Sequence, residues 1–303
     1  MSRAQISLSH LRYFYAVART QSIREAANQL HVVQSAISRQ IKNLEQDIGV
    51  PLFDRHARGV RLTEAGRILA DYAHQLFLGL DYAQSKIDEL RALHRGTVRL
   101  CTVEGAVTEL VPAVASAFQR DFPGLKLVLI VRGTLGVVDT VLADDADVGI
   151  AFHTPKHPNL RFLASKPQPL NAVLRADHPL AASRKLHIGD LQDQRIALPD
   201  SSFGIRQLVD EIQRRNRTSL QPVFETNSIA SLANFARQGL GISFLPYFAV
   251  KSQVDDGTVV AIPLDDPPAR RPNIDIIAHA GRRLPFAAEE FVRRLRTALK
   301  ELR

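Results

Sequence analysis

Apolar residues recur every three or four positions along residues 8–45, which is the spacing that buries one face of a helix. Three such segments follow one another, and the third separates its two faces most clearly. Ile37, Ile41 and Leu44 are spaced as a buried stripe. The opposite face carries hydroxyls and cations, namely Ser35, Ser38, Arg39 and Lys42. Such a helix suits the major groove of DNA, although an ordinary surface helix shows the same pattern.

The residues around this helix favour the DNA-binding alternative. Ser22 followed by Glu25 forms a capping box, which predicts the start of the preceding helix. After Pro51, residues 54–62 read as two short strands around a turn. Three cations of this hairpin are expected to face a phosphate backbone: Arg55, Arg58 and Arg61. Three helices followed by a basic hairpin predict a winged helix-turn-helix.

A long helix is predicted after the hairpin, from about Thr63 to Arg95. Its apolar residues step by threes and fours: Ala65, Leu69, Tyr72, Leu76, Leu80, Ala83, Ile87 and Leu90. At about 1.5 Å per residue the helix is nearly 50 Å long, too long to be buried against one small domain. The pattern therefore favours pairing with a second copy of the chain. The alternative is packing on the domain that follows.

From Gly96 the pattern changes to alternating strands and helices, which implies a parallel sheet with helices on both faces. The order recurs from about Pro169, and residues 263–272 are typical of a crossover back to the first part. Two α/β lobes joined by two crossing segments are therefore predicted. Ligands bind such folds in the crevice at the ends of the strands.

Composition changes this interpretation little. The net charge of +8 favours a polyanionic partner, but Lys and Arg are spread along the whole chain. Pairs such as Arg282-Arg283 and Arg293-Arg294 are better explained as a solvated face than as a second nucleic-acid site. A single cysteine excludes an intramolecular disulfide, and no apolar run is long enough to span a bilayer. We expect a soluble, cytoplasmic protein with no membrane partner.

Enzymatic chemistry finds little support. Cys101 lies in an apolar strand without an adjacent histidine or cation, which is typical of a buried, inert thiol. His153 and His157 lack a third ligand at a suitable spacing for a metal. The glycines form no phosphate-binding loop. We expect no catalytic residue, no metal and no cofactor.

Residues 7–66, through the LTEAG at 62–66, resemble the DNA-binding domain of LysR-type transcriptional regulators. FPGLKL, DADVGIAF and GLGISFLP resemble the effector domain of the same family. The resemblance implies a mixed fold with an all-α winged helix-turn-helix, a linker helix and a two-lobed α/β domain like type 2 periplasmic binding proteins. The implied bounds are 1–62 for the DNA-binding domain, 63–95 for the linker helix and 96–303 for the effector domain, with lobe I at about 96–166 and 270–303 and lobe II at about 167–269.

The resemblance also implies which residues contact DNA. The family's base-reading positions fall on Gln34, Ser35, Ser38 and Arg39, and phosphate contacts on Lys42 and Arg55. An Arg39 contact to guanine would contribute about 1–3 kcal/mol of discrimination. The family usually has Ser or Thr where Val33 stands and Pro where Ser35 stands. Because valine cannot cap a helix, the recognition helix is expected to begin at Gln34 or Ser35.

By position in the family pattern, nine residues line the effector crevice: Glu104, Gly105, Ala106, Thr134, His153, Ser202, Phe203, Asn227 and Ser228. Helix N-termini and hydroxyls favour an organic anion. Gly105 departs from the Ser or Thr of many relatives. If Glu104 faces the crevice, the ligand is expected to carry an amine or another cation; the alternative is that Glu104 points to solvent. Phe203 either stacks on a ligand or fills the core of its lobe.

The resulting expectation is a ligand-responsive bacterial regulator of the LysR type. It would bind promoter DNA as a homodimer or homotetramer, and effector binding would change the lobe angle, DNA bending and contact with RNA polymerase. A second hypothesis is a small-molecule-binding or enzymatic α/β protein whose N-terminal domain docks onto other proteins. The two differ in the expected effect of Arg39→Ala on DNA binding.

Overall fold

The computed structural model describes residues 6–56, 59–90 and 96–302. The chain forms two compact units, Met1–Gln84 and Ser85–Arg303, and each has its own hydrophobic core. Among the described helices, none combines the length and the apolar character that a membrane crossing needs.

The first unit is a helical domain with a two-stranded wing. Its elements are α1 (Leu8–Thr20), α2 (Ile23–Leu30), α3 (Gln34–Ile48), β1 (Phe53–His56), β2 (Gly59–Leu62) and α4 (Glu64–Leu90), of which α4 continues into the second unit. The stripe of Ile37, Ile41 and Leu44 on α3 is buried, as predicted. β1 and β2 pair antiparallel from Phe53 opposite Leu62 to His56 opposite Gly59.

The start of α2 is capped by one half of the predicted capping box. The Ser22 hydroxyl accepts a hydrogen bond from the Glu25 N–H at 3.2 Å. The backbone N–H of Ser22 donates to Thr20 Oγ1 at 3.3 Å, so a hydroxyl at the end of α1 accepts this hydrogen bond in place of the Glu25 carboxylate. The turn between the two helices is thereby fixed from both sides.

The LTEAG segment closes the wing onto the start of α4. Thr63 Oγ1 accepts from the Gly66 N–H at 3.0 Å and donates to Pro51 O at 2.8 Å. The Thr63 N–H donates to Leu52 O at 3.0 Å. A Cβ on Gly66 would lie only 2.1 Å from Leu52 O. Glycine at 66 therefore lets the first turn of α4 lie against the backbone of residues 51–52.

The second unit consists of two α/β lobes. Lobe I begins with β3 (Gly96–Thr102), α5 (Gly105–Thr108), α6 (Leu110–Asp121), β4 (Leu125–Val131), α7 (Thr134–Leu142), β5 (Val148–Phe152) and β6 (Leu160–Pro167). Lobe II contains β7 (Leu170–Arg175), β8 (Ile196–Pro199), α8 (Gly204–Asn216), β9 (Pro222–Thr226), α9 (Ile229–Arg237), β10 (Ile242–Pro246), α10 (Lys251–Asp255) and β11 (Val259–Pro263). The chain then returns to lobe I with β12 (Asn273–His279) and α11 (Phe286–Glu301). Short 3-10 helices cover Pro179–Ala182, Ile188–Leu191, Tyr247–Ala249 and Pro267–Arg270.

Each lobe is built on a five-stranded mixed sheet, which corrects the expectation of parallel sheets. The strand order is β4-β3-β5-β12-β6 in lobe I and β11-β7-β10-β8-β9 in lobe II. In each sheet three neighbouring strands are parallel, and a fourth strand, β12 in lobe I and β7 in lobe II, runs antiparallel to them. The edge strand beyond it, β6 or β11, pairs antiparallel with this fourth strand. The chain crosses between lobes after β6 and after β11. The mixed winged-helix and two-lobed α/β fold predicted from the sequence is confirmed.

Several bounds differ from those predicted. The apolar spacing over residues 107–120 predicts one helix, whereas the structure has two, α5 and α6, divided at Glu109. β6, β7 and β11 are strands that the hydrophobic pattern did not predict, because short apolar runs without alternation do not distinguish strand from helix.

Arg282 belongs to a buried charge cluster, so the expectation that it lies on a solvated face is wrong. Its side chain is 7% exposed, pairs with Asp147 and donates to Asp144 O at 3.0 Å. The Asp144 carboxylate lies 3.1 Å from His279 Nδ1. The Asp147 carboxylate also accepts from the Arg99 N–H at 2.6 Å. The cluster ties the turn after β12 to the loop before β5.

Candidate functional site

The outer face of α3 presents the predicted base-reading residues together. Gln34, Ser35 and Arg39 are exposed, and Ser38 is half-buried. Lys42, on the same face one turn after Ser38, is also exposed. Because the opposite face is held in the core by its apolar stripe, this row of donors projects from the domain. Hydroxyls, amides and cations in such a row can bond base edges and phosphates.

The recognition helix starts one residue after Val33, at Gln34, which is one of the two predicted starts. Val33 is the N-cap, with φ −79° and ψ 145°, and it provides no side-chain hydrogen bond. Its side chain is 68% exposed. The Ala36 N–H donates to Val33 O at 3.0 Å, but Val33 offers no side-chain acceptor to the first turn of α3.

Val33→Ser is expected to stabilise the DNA-binding domain by about 1 kcal/mol. The backbone already has the extended conformation of an N-cap, and an exposed valine contributes little packing. Urea unfolding of the domain in the full-length protein measures the change. Val50→Ser is the matched control, since Val50 is also exposed but follows α3. An equal effect of both substitutions would contradict the capping explanation.

The predicted wing cations are only partly described by the structure. Arg61 is exposed on β2 opposite Asp54. Arg55 lies on β1 opposite Val60, and its side chain falls outside the described part of the structure, as does the whole of Arg58.

Glu45 fixes the wing to α3, a role that the sequence did not indicate. Its Oε1 accepts from the N–H groups of Leu52 and Phe53 at 2.8 Å and 3.2 Å. An acid eight residues before a strand has no recognisable pattern, because the contact depends on the turn at Gly49. The carboxylate holds β1 in place without facing outward with the donor row.

The predicted effector residues lie after the carboxyl ends of five strands, β3, β4, β5, β8 and β9. Glu104, which follows β3, reaches from lobe I to lobe II. Its Oε2 accepts from the Ile229 N–H at 2.6 Å, and its Oε1 accepts from Ser228 Oγ and the Ala230 N–H, each at 3.1 Å. Glu104 thus faces the crevice, but N–H and O–H donors of α9 already satisfy its carboxylate.

A second set of hydrogen bonds joins the lobes at Thr134 and Ser202. Thr134 Oγ1 donates to Phe152 O at 2.9 Å and accepts from the Gly204 N–H at 3.1 Å. The Leu135 N–H donates to Ser202 O at 3.1 Å. The N-terminus of α8 is therefore bound by a hydroxyl of lobe I, and that of α7 by a carbonyl of lobe II.

The crevice is closed around a small apolar cavity. A Cβ on Gly105 would lie 3.0 Å from Ala249 Cβ and 3.1 Å from Phe248 Cε2, so glycine permits this approach. The cavity has a volume of about 20 Å³ and is lined by Val103, Gly105, Thr134, Phe152, Phe203, Gly204, Ile205, Ile229, Pro246, Phe248 and Ala249. It holds about one water molecule. An organic effector therefore requires the lobes to separate.

The other predicted crevice residues have different environments. Ala106 is buried, and Phe203, which is 6% exposed, packs in the wall of the cavity. His153 has a positive φ of 54°, and its N–H donates to Asn273 O. Burial lowers the pKa of His153, against the opposing effects of Glu211 and Asp275. Asn227 is exposed, immediately before the Ser228 cap of α9.

Cys101 is buried in β3, and burial raises the pKa of its thiol. A thiol in this state is a poor nucleophile. Over residues 6–56, 59–90 and 96–302 no cluster of three or more His, Cys, Asp or Glu side chains could hold a metal ion.

Comparisons with known proteins assign both units to one family. Residues 91–300 match the LysR substrate binding domain, and residues 8–67 match the bacterial regulatory helix-turn-helix protein, lysR family. The uncharacterized HTH-type transcriptional regulator YbhD of Escherichia coli is 30% identical over 284 residues, which cover 94% of this chain and 89% of YbhD. The transcriptional dual regulator GltC of Bacillus subtilis is 30% identical over 291 residues, which cover 94% and 95%. A structure of full-length OxyR from Pseudomonas aeruginosa, a variant, superposes with a TM-score of 0.73 at 24% identity, covering 98% of this chain and 97% of that chain.

Proposed function

The chain belongs to the LysR family of bacterial transcriptional regulators, and on that premise we propose that α3 reads promoter DNA while the lobe crevice receives a small organic effector. The observation that carries the DNA-binding proposal is the outer face of α3, a row of donors without an acid opposite a buried apolar stripe. Gln34, Ser35, Ser38 and Arg39 contact base edges. Phosphates are bound by Lys42, Arg55, Arg58 and Arg61.

We propose that the effector binds at the predicted crevice positions after the lobes separate. The geometry supports this because Glu104, Thr134, Ser202 and Ser228 converge there from both lobes. Their contacts would be exchanged for contacts with the ligand, and a ligand shifts the lobe angle only through its different affinity for the two states.

The protein is proposed to act as a homodimer that assembles into a homotetramer. One side of α4 exposes an apolar row at helical spacing, formed by Ile68, Tyr72, Leu76, Leu80 and Ile87. An apolar row of this length on a helix surface is suited to a second copy of itself. The edge strands of the two lobes also expose apolar residues: Leu129 and Val131 on β4, and Val223 and Phe224 on β9. These edges are proposed to pair the effector domains.

Contact with RNA polymerase, a cytoplasmic location and the lack of catalytic activity complete the proposal. They are supported by membership of a family of DNA-binding regulators and by the chemistry of the crevice. Its polar groups bond to each other across the lobes, and its remaining lining is mainly apolar.

Arg39→Ala is expected to weaken the free energy of binding to a specific operator by about 1–3 kcal/mol, the contribution of one bidentate base contact. Its effect on binding to random DNA should be small. Lys42→Ala is the matched comparison, because it removes a cation from the same helix face one turn away. It should weaken binding to both DNAs and lower the slope of log affinity against log salt by about 0.9 per phosphate contact. Fluorescence anisotropy over a range of salt concentrations measures both effects.

Unchanged operator affinity in Arg39→Ala would contradict the proposal and favour a protein-docking role for the first unit. An equal loss on operator and random DNA would contradict base reading by Arg39. Both variants change only exposed side chains, so the unfolding transition of the first unit serves as the check on folding.

A further inference from the structure

The N-terminus of α9 already binds a carboxylate that belongs to the chain itself. Two backbone N–H groups, of Ile229 and Ala230, and the Ser228 hydroxyl donate to Glu104 at 2.6–3.1 Å. The same hydroxyl accepts from the Ser231 N–H at 3.2 Å. Unpaired donors and the helix dipole make such a terminus a site for an anion. Here the anion comes from the other lobe.

Glu104 can serve this site because the chain around it is fixed against lobe II. It is the residue before α5, whose first residue, Gly105, packs on Phe248 and Ala249. The absence of a side chain at 105 brings α5 close enough for a glutamate at 104 to span the crevice. The remaining free space is about 20 Å³, so the walls of the crevice lie in near contact with each other.

We infer that Glu104 is a built-in ligand that latches the two lobes together by occupying the carboxylate site at the N-terminus of α9. A carboxylate effector that uses this site must displace Glu104, so its binding is coupled to opening of the crevice. The inference concerns regulation of the proposed effector crevice and rests on that proposal. A free carboxylate would satisfy the α9 donors but would not tie the lobes.

The difference between a free carboxylate and Glu104 can be tested at interlobe hydrogen bonds that involve helices other than α9. The Leu135 N–H on α7 donates to Ser202 O, and the Gly204 N–H on α8 donates to Thr134 Oγ1. A glutamate that only capped α9 would leave these two amides unaffected. A latch, when released, exposes them as well.

Hydrogen exchange of the full-length protein without DNA should be compared for the wild type, Glu104→Ala and Glu104→Gln. Glu104→Ala is expected to lower protection by about tenfold at Ile229 and Ala230 and also at Leu135 and Gly204. Sodium acetate, added at constant ionic strength against sodium chloride, should restore protection at Ile229 and Ala230 in this variant. It should not restore protection at Leu135 and Gly204, because acetate is not attached to lobe I.

Glu104→Gln keeps the size of the side chain and should give a smaller loss at the same four amides, so it replaces the alanine variant if that variant does not fold. Glu109→Ala, which removes a nearby carboxylate of lobe I, should match the wild type with and without acetate. Loss confined to the α9 amides, or unchanged protection in both Glu104 variants, would overturn the latch. The latch would also be overturned if acetate raised protection in the wild type as much as in Glu104→Ala. Exchange is measured without DNA, so absence of operator binding would count against the proposed function alone.

Discussion

Arg282→Ala is expected to lower the free energy of unfolding of the effector domain by about 3–5 kcal/mol, because it leaves buried carboxylates without their cation. The Arg282 side chain is 7% exposed, and the Asp144 and Asp147 side chains that it contacts are 1% and 2% exposed. Asp144 still has His279 at 3.1 Å, whereas Asp147 keeps the hydrogen bond from the uncharged Arg99 N–H at 2.6 Å. Most of the loss should therefore arise at Asp147.

Urea unfolding of the full-length protein measures this loss in the transition of the second unit. Arg283→Ala is the matched control, because Arg283 is the exposed neighbour of Arg282, and interactions of an exposed charge contribute at most about 1 kcal/mol. Combining Arg282→Ala with Asp147→Asn should cost less than the sum of the two single changes, since they share one interaction. Strict additivity, or a small effect of Arg282→Ala alone, would show that the cluster is not a unit.

Gly66→Ala is expected to destabilise the DNA-binding domain by about 3 kcal/mol, the upper part of the range for overpacked sites. The added methyl group would lie 2.1 Å from Leu52 O, and a backbone oxygen cannot rotate away as a side chain can. The same oxygen accepts the Thr63 N–H at 3.0 Å, so a shift of Leu52 also disturbs the start of α4. Thermal unfolding of the first unit measures the effect.

Gly79→Ala is the control that separates the effect of this clash on stability from the effect of helix propensity. Gly79 lies in the same helix, and nothing lies within 4 Å of a Cβ at this position. The substitution should therefore stabilise the domain by about 0.8–1 kcal/mol. If both alanines change stability in the same direction, the close approach of α4 to Leu52 is not the reason for glycine at 66.

The recognition helix could be predicted from the sequence because its determinants are local. The buried stripe and donor row of α3 lie within about three turns of one helix, where spacing alone decides which residues share a face. The missing cap at Val33 could be identified for the same reason. Capping depends on the residue immediately before the helix.

The closed crevice and the buried Arg282 cluster could not be predicted because their contacts join residues that are distant in the chain. Glu104 and Ser228 are separated by 124 positions, and Arg282 and Asp147 by 135. The strand pattern places Glu104 after the end of a strand in lobe I and Ser228 after the end of a strand in lobe II. It does not indicate that one carboxylate reaches the other lobe, nor that an arginine next to an exposed arginine is buried. Such outcomes depend on the distance between packed elements, which periodicity does not contain.

Selection of genomic fragments shows whether this family member recognises its DNA sequences through α3. Full-length wild type and Arg39→Ala should be incubated in parallel with sheared bacterial DNA, with and without a metabolite extract. The wild type is expected to enrich a few promoters with an interrupted inverted repeat, which a two-fold dimer would bind, and Arg39→Ala is expected not to enrich them. Equal enrichment by the two proteins, or no enrichment by the wild type in either condition, would contradict sequence-specific DNA binding through α3.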